Sequence, residues 1–286
     1  MKINIESLNE KNKQKALRLL KKHKETSLML LSNLQEYGAT LTHHLHSGNF
    51  RCVTNKKDIV AVFCLTRSGL LLFQTDRKAN YNNLILKSAL KESIPLKGFM
   101  GDWNLVTSLW KSYKKQNPSF QVNFSPKEIL YKRDLKHAPN LPRDHSVIFL
   151  NSQHFTQWYR AYKNYFAELG IAFYGTKKEF HQKFLHEIKK QNWWGYFQEK
   201  CLCSMASRRA NFDNMAQIGG VYTLPEYRRK GYAKTCMIQI MNDSKTIHRD
   251  RDLVLFTPEN NKSARKLYEK LGFKKIGYFG VVIGQD

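Results

Sequence analysis

The residues from Tyr222 to Ala233 read Tyr-Thr-Leu-Pro-Glu-Tyr-Arg-Arg-Lys-Gly-Tyr-Ala. Their types suit one task, which is to hold an anion against the main chain. Arg228, Arg229 and Lys230 bring positive charge to one corner. Gly231 and the small Ala233 let a ligand approach the backbone closely. Two elements must flank this turn. The run Gln217-Ile218-Gly219-Gly220-Val221 reads as a strand before it, and a helical pattern follows from Lys234 to about Asn242. A strand, a tight basic turn and a helix start make a phosphate site. The first N–H groups of a helix lack intrahelical partners, and its dipole adds partial positive charge there.

Arg228-Arg229-Lys230-Gly231-Tyr232-Ala233 resembles the Arg/Gln-x-x-Gly-x-Gly/Ala signature of the GNAT superfamily, the acyl-CoA N-acyltransferases. A second segment, Asn261-x-x-Ala264-x-x-x-Tyr268-x-x-x-Gly272-Phe273, is similar to the family's downstream motif and follows a strand-like run, Leu253 to Thr257. The wording from Ile218 to Ala233, with Leu255-Phe256-Thr257, resembles a subgroup with a Val-Tyr-Thr-x-Pro-x-Tyr-Arg pattern. The resemblance covers roughly the last 140 residues, a domain-sized piece. It implies a mixed α/β fold, acetyl-CoA as cosubstrate and a primary amine as acceptor, with no metal. The cofactor contacts it implies are Val221, Tyr222 and Thr223 for the pantetheine arm, Arg228, Arg229, Lys230, Gly231, Tyr232, Ala233 and Lys234 for the pyrophosphate, and Asn261. Gly219-Gly220 interrupts the strand, as an ordinary bulge or as a place of close backbone approach. An extended arm pairs with an open strand edge much as a peptide adds to a sheet.

Attack of an amine on a thioester needs a neutral amine, a stabilised oxyanion and a proton for the leaving thiolate. The resemblance gives the proton to the Tyr268 phenol; without it, Tyr268 reads as a core residue beside Leu267 and Leu271. Asn261 reads as a helix cap, a cofactor contact or both. The Val221 N–H is a candidate for polarising the carbonyl. No base is evident, because Met215 to Thr223 contains no carboxylate, where many relatives carry a Glu. Glu168 is one alternative; Glu226, Asp213, His181 and His186 are weaker ones.

The frame around these residues is ordinary in all but charge. The chain has 286 residues, 42% of them apolar, enough for two domains with real cores. The longest apolar run, Ile59 to Phe73, is broken by Arg67, short of the ~18 residues of a spanning helix. Met1 to Glu10 alternates polar and apolar residues and lacks the pattern of a signal peptide. Five scattered cysteines (Cys52, Cys64, Cys201, Cys203, Cys236) fit a reducing, cytoplasmic setting rather than a disulfide framework. Cys201 and Cys203 read as core residues more than as a metal pair. Lys and Arg number 48 against 23 acids, a net +25, and each full block of fifty residues carries a surplus of four to six. That even spread suits polyanions in general, nucleic acid included, and names no partner. Trp193, Trp194 and Tyr196 would serve base stacking, or equally a hairpin core.

The expected plan has three parts. Residues 1–135 alternate helix pair, strands, helix, strand, helix and strand without a phosphate turn, and read as a degenerate tandem copy. Lys136 to Ser146, with two prolines and little apolar content, is the expected linker. Residues 147–286 follow the element order of a GNAT domain. Two other function classes stand beside acyl transfer. One is a coenzyme A-binding module without turnover, and the other a basic nucleic-acid-associated protein, whose affinity would fall steeply with salt.

Overall fold

The computed structural model describes residues 3–124, 126–139, 141–171 and 175–285. Its first half runs β1 (Ile3–Ser7), α1 (Glu10–Lys22), α2 (Lys24–Tyr37), β2 (Gly48–Asn55), β3 (Asp58–Thr66), β4 (Leu70–Thr75), α3 (Asn82–Ala89), β5 (Gly98–Asp102), α4 (Trp103–Gln116), β6 (Gln121–Phe124) and β7 (Lys127–Asp134). The second half runs β8 (Val147–Phe149), α5 (Phe155–Glu168), α6 (Lys177–Lys189), β9 (Trp193–Gln198), β10 (Cys201–Phe212), β11 (Met215–Thr223), α7 (Tyr232–Thr246), β12 (Asp252–Pro258), α8 (Lys262–Lys270) and β13 (Lys274–Gln285). One element order, β-α-α-β-β-β-α-β-α-β, therefore occurs twice. The expected mixed α/β class holds.

Contacts divide the chain into two compact units. Unit 1 comprises Met1–Leu130, Pro258–Asn260 and Gly277–Asp286; unit 2 comprises Tyr131–Thr257 and Asn261–Ile276. This division differs from the expected plan of 1–135, 136–146 and 147–286. The stretch read as a linker is bonded into unit 2. Leu141 N–H donates to Asn242 Oδ1 at 3.3 Å, and the Leu141 carbonyl accepts from Asn242 Nδ2 at 2.8 Å. Lys245 Nζ donates to the Ala138 carbonyl at 2.9 Å. Low apolar content read as a linker here because polar side chains of α7, not a hydrophobic face, hold the segment. Asn140, within that stretch, lies outside the described residues.

In unit 1, β1 to β4 are successive antiparallel neighbours, β4 pairs β5 in parallel, and residues 279–283 of β13 close onto β5 antiparallel. Phe63, Phe73, Phe99, Val106, Leu109 and Phe120 lie in its core. α1 starts at an Asn9–Asn12 capping box and turns Ala16, Leu19 and Leu20 inward, as the sequence pattern predicts. The connection from β4 to α3 differs from a phosphate turn. It carries Asp76, it has no glycine, and Arg77 is held by Asp102 at 2.8 Å.

In unit 2, β8, β9, β10 and β11 are successive antiparallel neighbours, and β11 pairs β12 in parallel. The Glu199-Lys200 bend joins β9 to β10, with Glu199 in the left-handed region at φ 55°. α6 begins at a Thr176–Glu179 capping box, a device worth about 1 kcal/mol. Aromatic side chains dominate the core: Trp158, Tyr162, Phe184 and Trp193 pack together beneath β10 and β11. Trp193 and Trp194 are 1% and 0% exposed, so these two rings cannot stack bases. Cys203 is buried while Cys201 is exposed, because a bulge between Leu202 and Ser204 breaks the alternation expected to place them on one face.

Glu128 of β7 is buried in unit 1, and desolvation pushes its carboxyl up to about 8. A raised carboxyl stabilises the fold most below its unfolded value, near 4.5, and that contribution is lost as pH rises through about 8. Glu128→Gln should therefore flatten the fall in stability between those two values and raise stability at alkaline pH. Denaturant titrations of both proteins across that window measure the difference; identical profiles would mean that Glu128 is hydrated.

Candidate active site

The parallel ladder between β11 and β12 contains three pairs, Met215↔Asp252, Ala216↔Leu253 and Gln217↔Val254. β11 runs six residues further, to Thr223, without β12 at its side. The other edge stays on β10 up to Ser204↔Thr223, with a register shift between Met205 and Ser207. The two glycines sit at that shift. Gly220 has φ 60°, and a Cβ there would lie 3.0 Å from Trp193 Cη2 and 3.1 Å from Arg209 Nη2. The bulge thus requires glycine by backbone and by space. Beyond it, Leu224 N–H donates to the Cys203 carbonyl at 3.0 Å. Alternation along the strand turns the N–H groups of Thr223 and Val221 to the open edge.

From this edge the chain enters the turn. Pro225–Tyr227 form one 3-10 turn, Arg229 takes φ 63° and Gly231 takes φ 87°. α7 then starts with no side-chain cap, and its first bond runs from Thr235 N–H to the Gly231 carbonyl at 3.1 Å. Among the described residues the N–H groups of Gly231, Tyr232, Ala233 and Lys234 have no acceptor. No atom would lie within 4 Å of a Cβ on Gly231, so the space above it is open. Arg229, Lys230 and Lys234 are exposed around it. Two left-handed residues and an uncapped helix start are the geometry that suits an anion. By contrast α1, α4, α6 and α8 are capped by Asn9, Asp102, Thr176 and Asn261.

Side chains of the turn do less here than the sequence suggested. The Arg228 side chain turns away to Glu168, donating to both carboxylate oxygens at 2.6 and 2.7 Å, and to the Thr223 carbonyl at 3.0 Å. The buried Tyr222 donates its hydroxyl to the same Glu168 oxygen at 2.6 Å. Burial first, and then the Glu168 carboxylate, push Tyr222 up to about 12, which keeps it a donor. Any contact of Arg228 or Tyr222 with a ligand would thus be through the main chain. Glu168, an alternative base in the sequence, accepts three hydrogen bonds from these two donors. Tyr232 stacks on Tyr196, centroids 4.1 Å apart, and donates to Gln198 Oε1 at 3.0 Å.

Asn261 caps α8 by accepting from Ala264 N–H at 3.1 Å. Tyr268 is buried on α8, its ring edge-on to Tyr131 at 6.2 Å and tilted against Phe273 at 6.1 Å. Glu226 is exposed, 3.9 Å from Arg160, and Asp213 forms the tight turn before β11 at φ 50°. His181 is exposed, with its ring 4.5 Å from that of Phe155.

Two arrangements were missed from sequence. A buried pair, Arg208 to Asp250 with two bonds of 2.9 Å, ties the segment after α7 to β10, and Asp243 of α7 accepts from Trp194 Nε1 at 2.9 Å. The other is a cluster at the bulge, where Arg209 donates to Tyr162 Oη at 3.3 Å and Lys183 stands over the Tyr162 ring. The pair of arginines beside two glycines was the available signal. Nothing marked which arginine would be sealed and which left at the bulge.

Residues 153–273 match the acetyltransferase (GNAT) family profile. They form a GNAT acetyltransferase domain. A curated relative, the N-alpha-acetyltransferase of Saccharolobus solfataricus, is 32% identical over 90 residues, and the chain spans half of that relative's length. Among solved structures, the GCN5-related N-acetyltransferase of Sphaerobacter thermophilus aligns over 98% of this chain and 94% of its own, with a TM-score of 0.65 and 10% identity. A tandem GNAT protein from clavulanic acid biosynthesis aligns over 98% and 97%, with a TM-score of 0.50 and 10% identity. At such identities these two report on fold alone. The GNAT domain matched by the profile lies within the second half of the chain and contains the open edge, the turn and α8.

Asp250 is 0% exposed at its side chain, and among the described residues Arg208 has no other acid in salt-bridge contact. Asp250→Asn should cost about 3–5 kcal/mol, the usual consequence of leaving one buried charge unpaired. Chemical denaturation reads this directly, and an unchanged midpoint would mean the pair is hydrated in solution.

Proposed function

We propose that this protein is an N-acetyltransferase that moves the acetyl group of acetyl-CoA to a primary amine by direct attack on the thioester. One observation carries the reading: an unpaired strand edge runs without interruption into an uncapped helix start lined by cations. A molecule with an extended amide-bearing arm and a pyrophosphate at its end matches that sequence of donors. The Val221 carbonyl and the Thr223 main chain would pair with the pantetheine amides, and main-chain N–H groups from Arg229 to Lys234 would take the pyrophosphate. Bound there, acetyl-CoA supplies an activated acyl group. The chain contributes orientation along β11, a carbonyl-polarising N–H at Val221, and a proton for the departing sulfur from Tyr268. Asn261 fixes the start of α8 and so the position of Tyr268.

The repeated element order supports reading unit 1 as a degenerate copy of the same fold. Its equivalent turn has no glycine, carries Asp76 and commits Arg77 to Asp102, which supports the same reading. The Val-Tyr-Thr-x-Pro-x-Tyr-Arg wording supports membership of that subgroup. A cytoplasmic setting belongs to the same proposal. Among the described residues, no helix is long and apolar enough to cross a membrane.

Calorimetric titration with acetyl-CoA and with free coenzyme A, after removal of nucleic acid, tests the reading. Saturable one-to-one binding is expected, and none would reject it. Gly231→Glu should abolish that binding, because φ 87° opposes a side chain and a carboxylate would face the pyrophosphate. Wild-type affinity in this variant would misplace the turn. Tyr268→Phe should lower kcat by about a hundredfold while leaving acetyl-CoA affinity intact. Equal loss of both would make Tyr268 a packing residue against Tyr131.

A further inference from the structure

Two cations meet at the Tyr162 phenol near the β11 bulge, and among the described residues neither has a carboxylate in salt-bridge contact. Arg209 lays its guanidinium 4.9 Å from the Trp193 ring centroid and 5.5 Å from that of Tyr162. It donates Nη2–H to Tyr162 Oη at 3.3 Å. Lys183, from α6, holds its ammonium 5.8 Å from the Tyr162 centroid. Both side chains are half-buried. Nearby cations have found acids: Arg208 has Asp250, and Arg228 has Glu168. The acid whose charge reaches Arg209, Glu187, accepts instead from Asn192 Nδ2 at 3.0 Å. A guanidinium offers five N–H donors, and one of Arg209's is used here. Partly desolvated cations without an anion are costly, so the arrangement calls for one.

The protein's own candidate anion is the Tyr162 phenol. Its surroundings come from four elements: Trp158, Tyr165 and Phe166 on α5, Phe180 and Lys183 on α6, Trp193 on β9, and Arg209 on β10. None of these is an acid. Burial alone would push the phenol up, but the charges of Arg209 and Lys183 draw it down to about 8. A phenol so poised marks a strongly positive site. That site adjoins the open edge, because Arg209 Nη2 lies 3.1 Å from where a Gly220 side chain would begin.

Resting on the acetyl-transfer reading, we propose that Arg209 and Lys183 recognise the acceptor, and that the acceptor is a small amine carrying a carboxylate close to its amino group. The planar guanidinium fork matches a carboxylate, and its ring stacking fixes the fork's plane. The anion would take the place of the Tyr162 oxygen as partner of the two cations, and the bulge sets the amine beside the open edge of β11.

Two experiments test this. In the first, glycine and β-alanine are compared with glycinamide, ethanolamine and phosphoethanolamine as acetyl acceptors. The two acids should exceed the uncharged amines in kcat/KM by at least about tenfold, mostly through KM. Arg209→Met should erase that preference with acetyl-CoA affinity unchanged, and Arg209→Lys should restore part of it. Equal rates for acids and amides, or preference for phosphoethanolamine, overturn the proposal. The second needs no turnover. Tyrosinate absorbance is followed against pH, with Tyr162→Phe as the blank. The phase near pH 8 should move upward with N-acetylglycine and stay put with its methylamide. Identical responses to the two overturn the anion site. Failure of acetyl-CoA to bind would instead defeat the acetyl-transfer reading, with the absorbance still deciding whether a carboxylate binds here.

Discussion

The three-pair limit on the β11–β12 ladder is the constraint on which the rest of unit 2 depends. Parallel strands normally stay paired, because each released N–H or C=O must find another partner. Here six residues of β11 leave that ladder while remaining on β10. Gly220 makes the departure tolerable, since φ 60° and crowding by Trp193 admit no side chain. The bulge alters the local twist, and the freed edge runs directly into the turn before α7. A strand fully paired on both edges would leave the same turn with no track leading to it.

Charge is sorted at close range around that edge, and the sorting is more informative than the total of +25. Arg208 is sealed against Asp250, where it fastens the end of α7's connection. Arg228 is spent on Glu168, which joins the end of α5 to the turn through Tyr222 as well. Arg229, Lys230 and Lys234 stay exposed at the helix start. Arg209 and Lys183 share one phenol. Neighbouring arginines therefore differ: among the described residues, one of each pair is bonded to a carboxylate and the other is not.

Much of the fold was legible because its elements are marked locally. α5 and β9 follow from aromatic periodicity and bounding polar residues, and Met215 to Thr223 from its apolar run. The turn was legible because Gly231 and the basic triplet are adjacent in sequence. β1 was not, although Ile3 and Ile5 alternate with polar residues, since the run is short and mostly exposed at a sheet edge. The Glu168–Arg228 bridge was not, because it joins residues far apart in sequence, and the turn's left-handed Arg229 decides where its neighbour points. Tyr162, buried on α5 beside Trp158, was not singled out in the sequence. Its hydroxyl is what matters, and periodicity says nothing about where a hydroxyl ends. The boundary between units escaped for a related reason: the chain returns from Gly277 onward to strands made much earlier.

That return has a consequence for how the protein is made. β5 lies at the edge of what unit 1 can build from its own leading stretch, and its partner for Phe99 to Asp102 is the segment from Phe279 to Val282. A ribosome delivers β5 long before that segment. Through most of synthesis the nascent first unit carries an open strand edge with Phe99 at its core, the kind of surface that invites wrong pairing. The second unit is essentially complete before the first acquires its last strand. Order of synthesis and order of completion are thus reversed, and the unit that begins later in the chain is the one that is completed first.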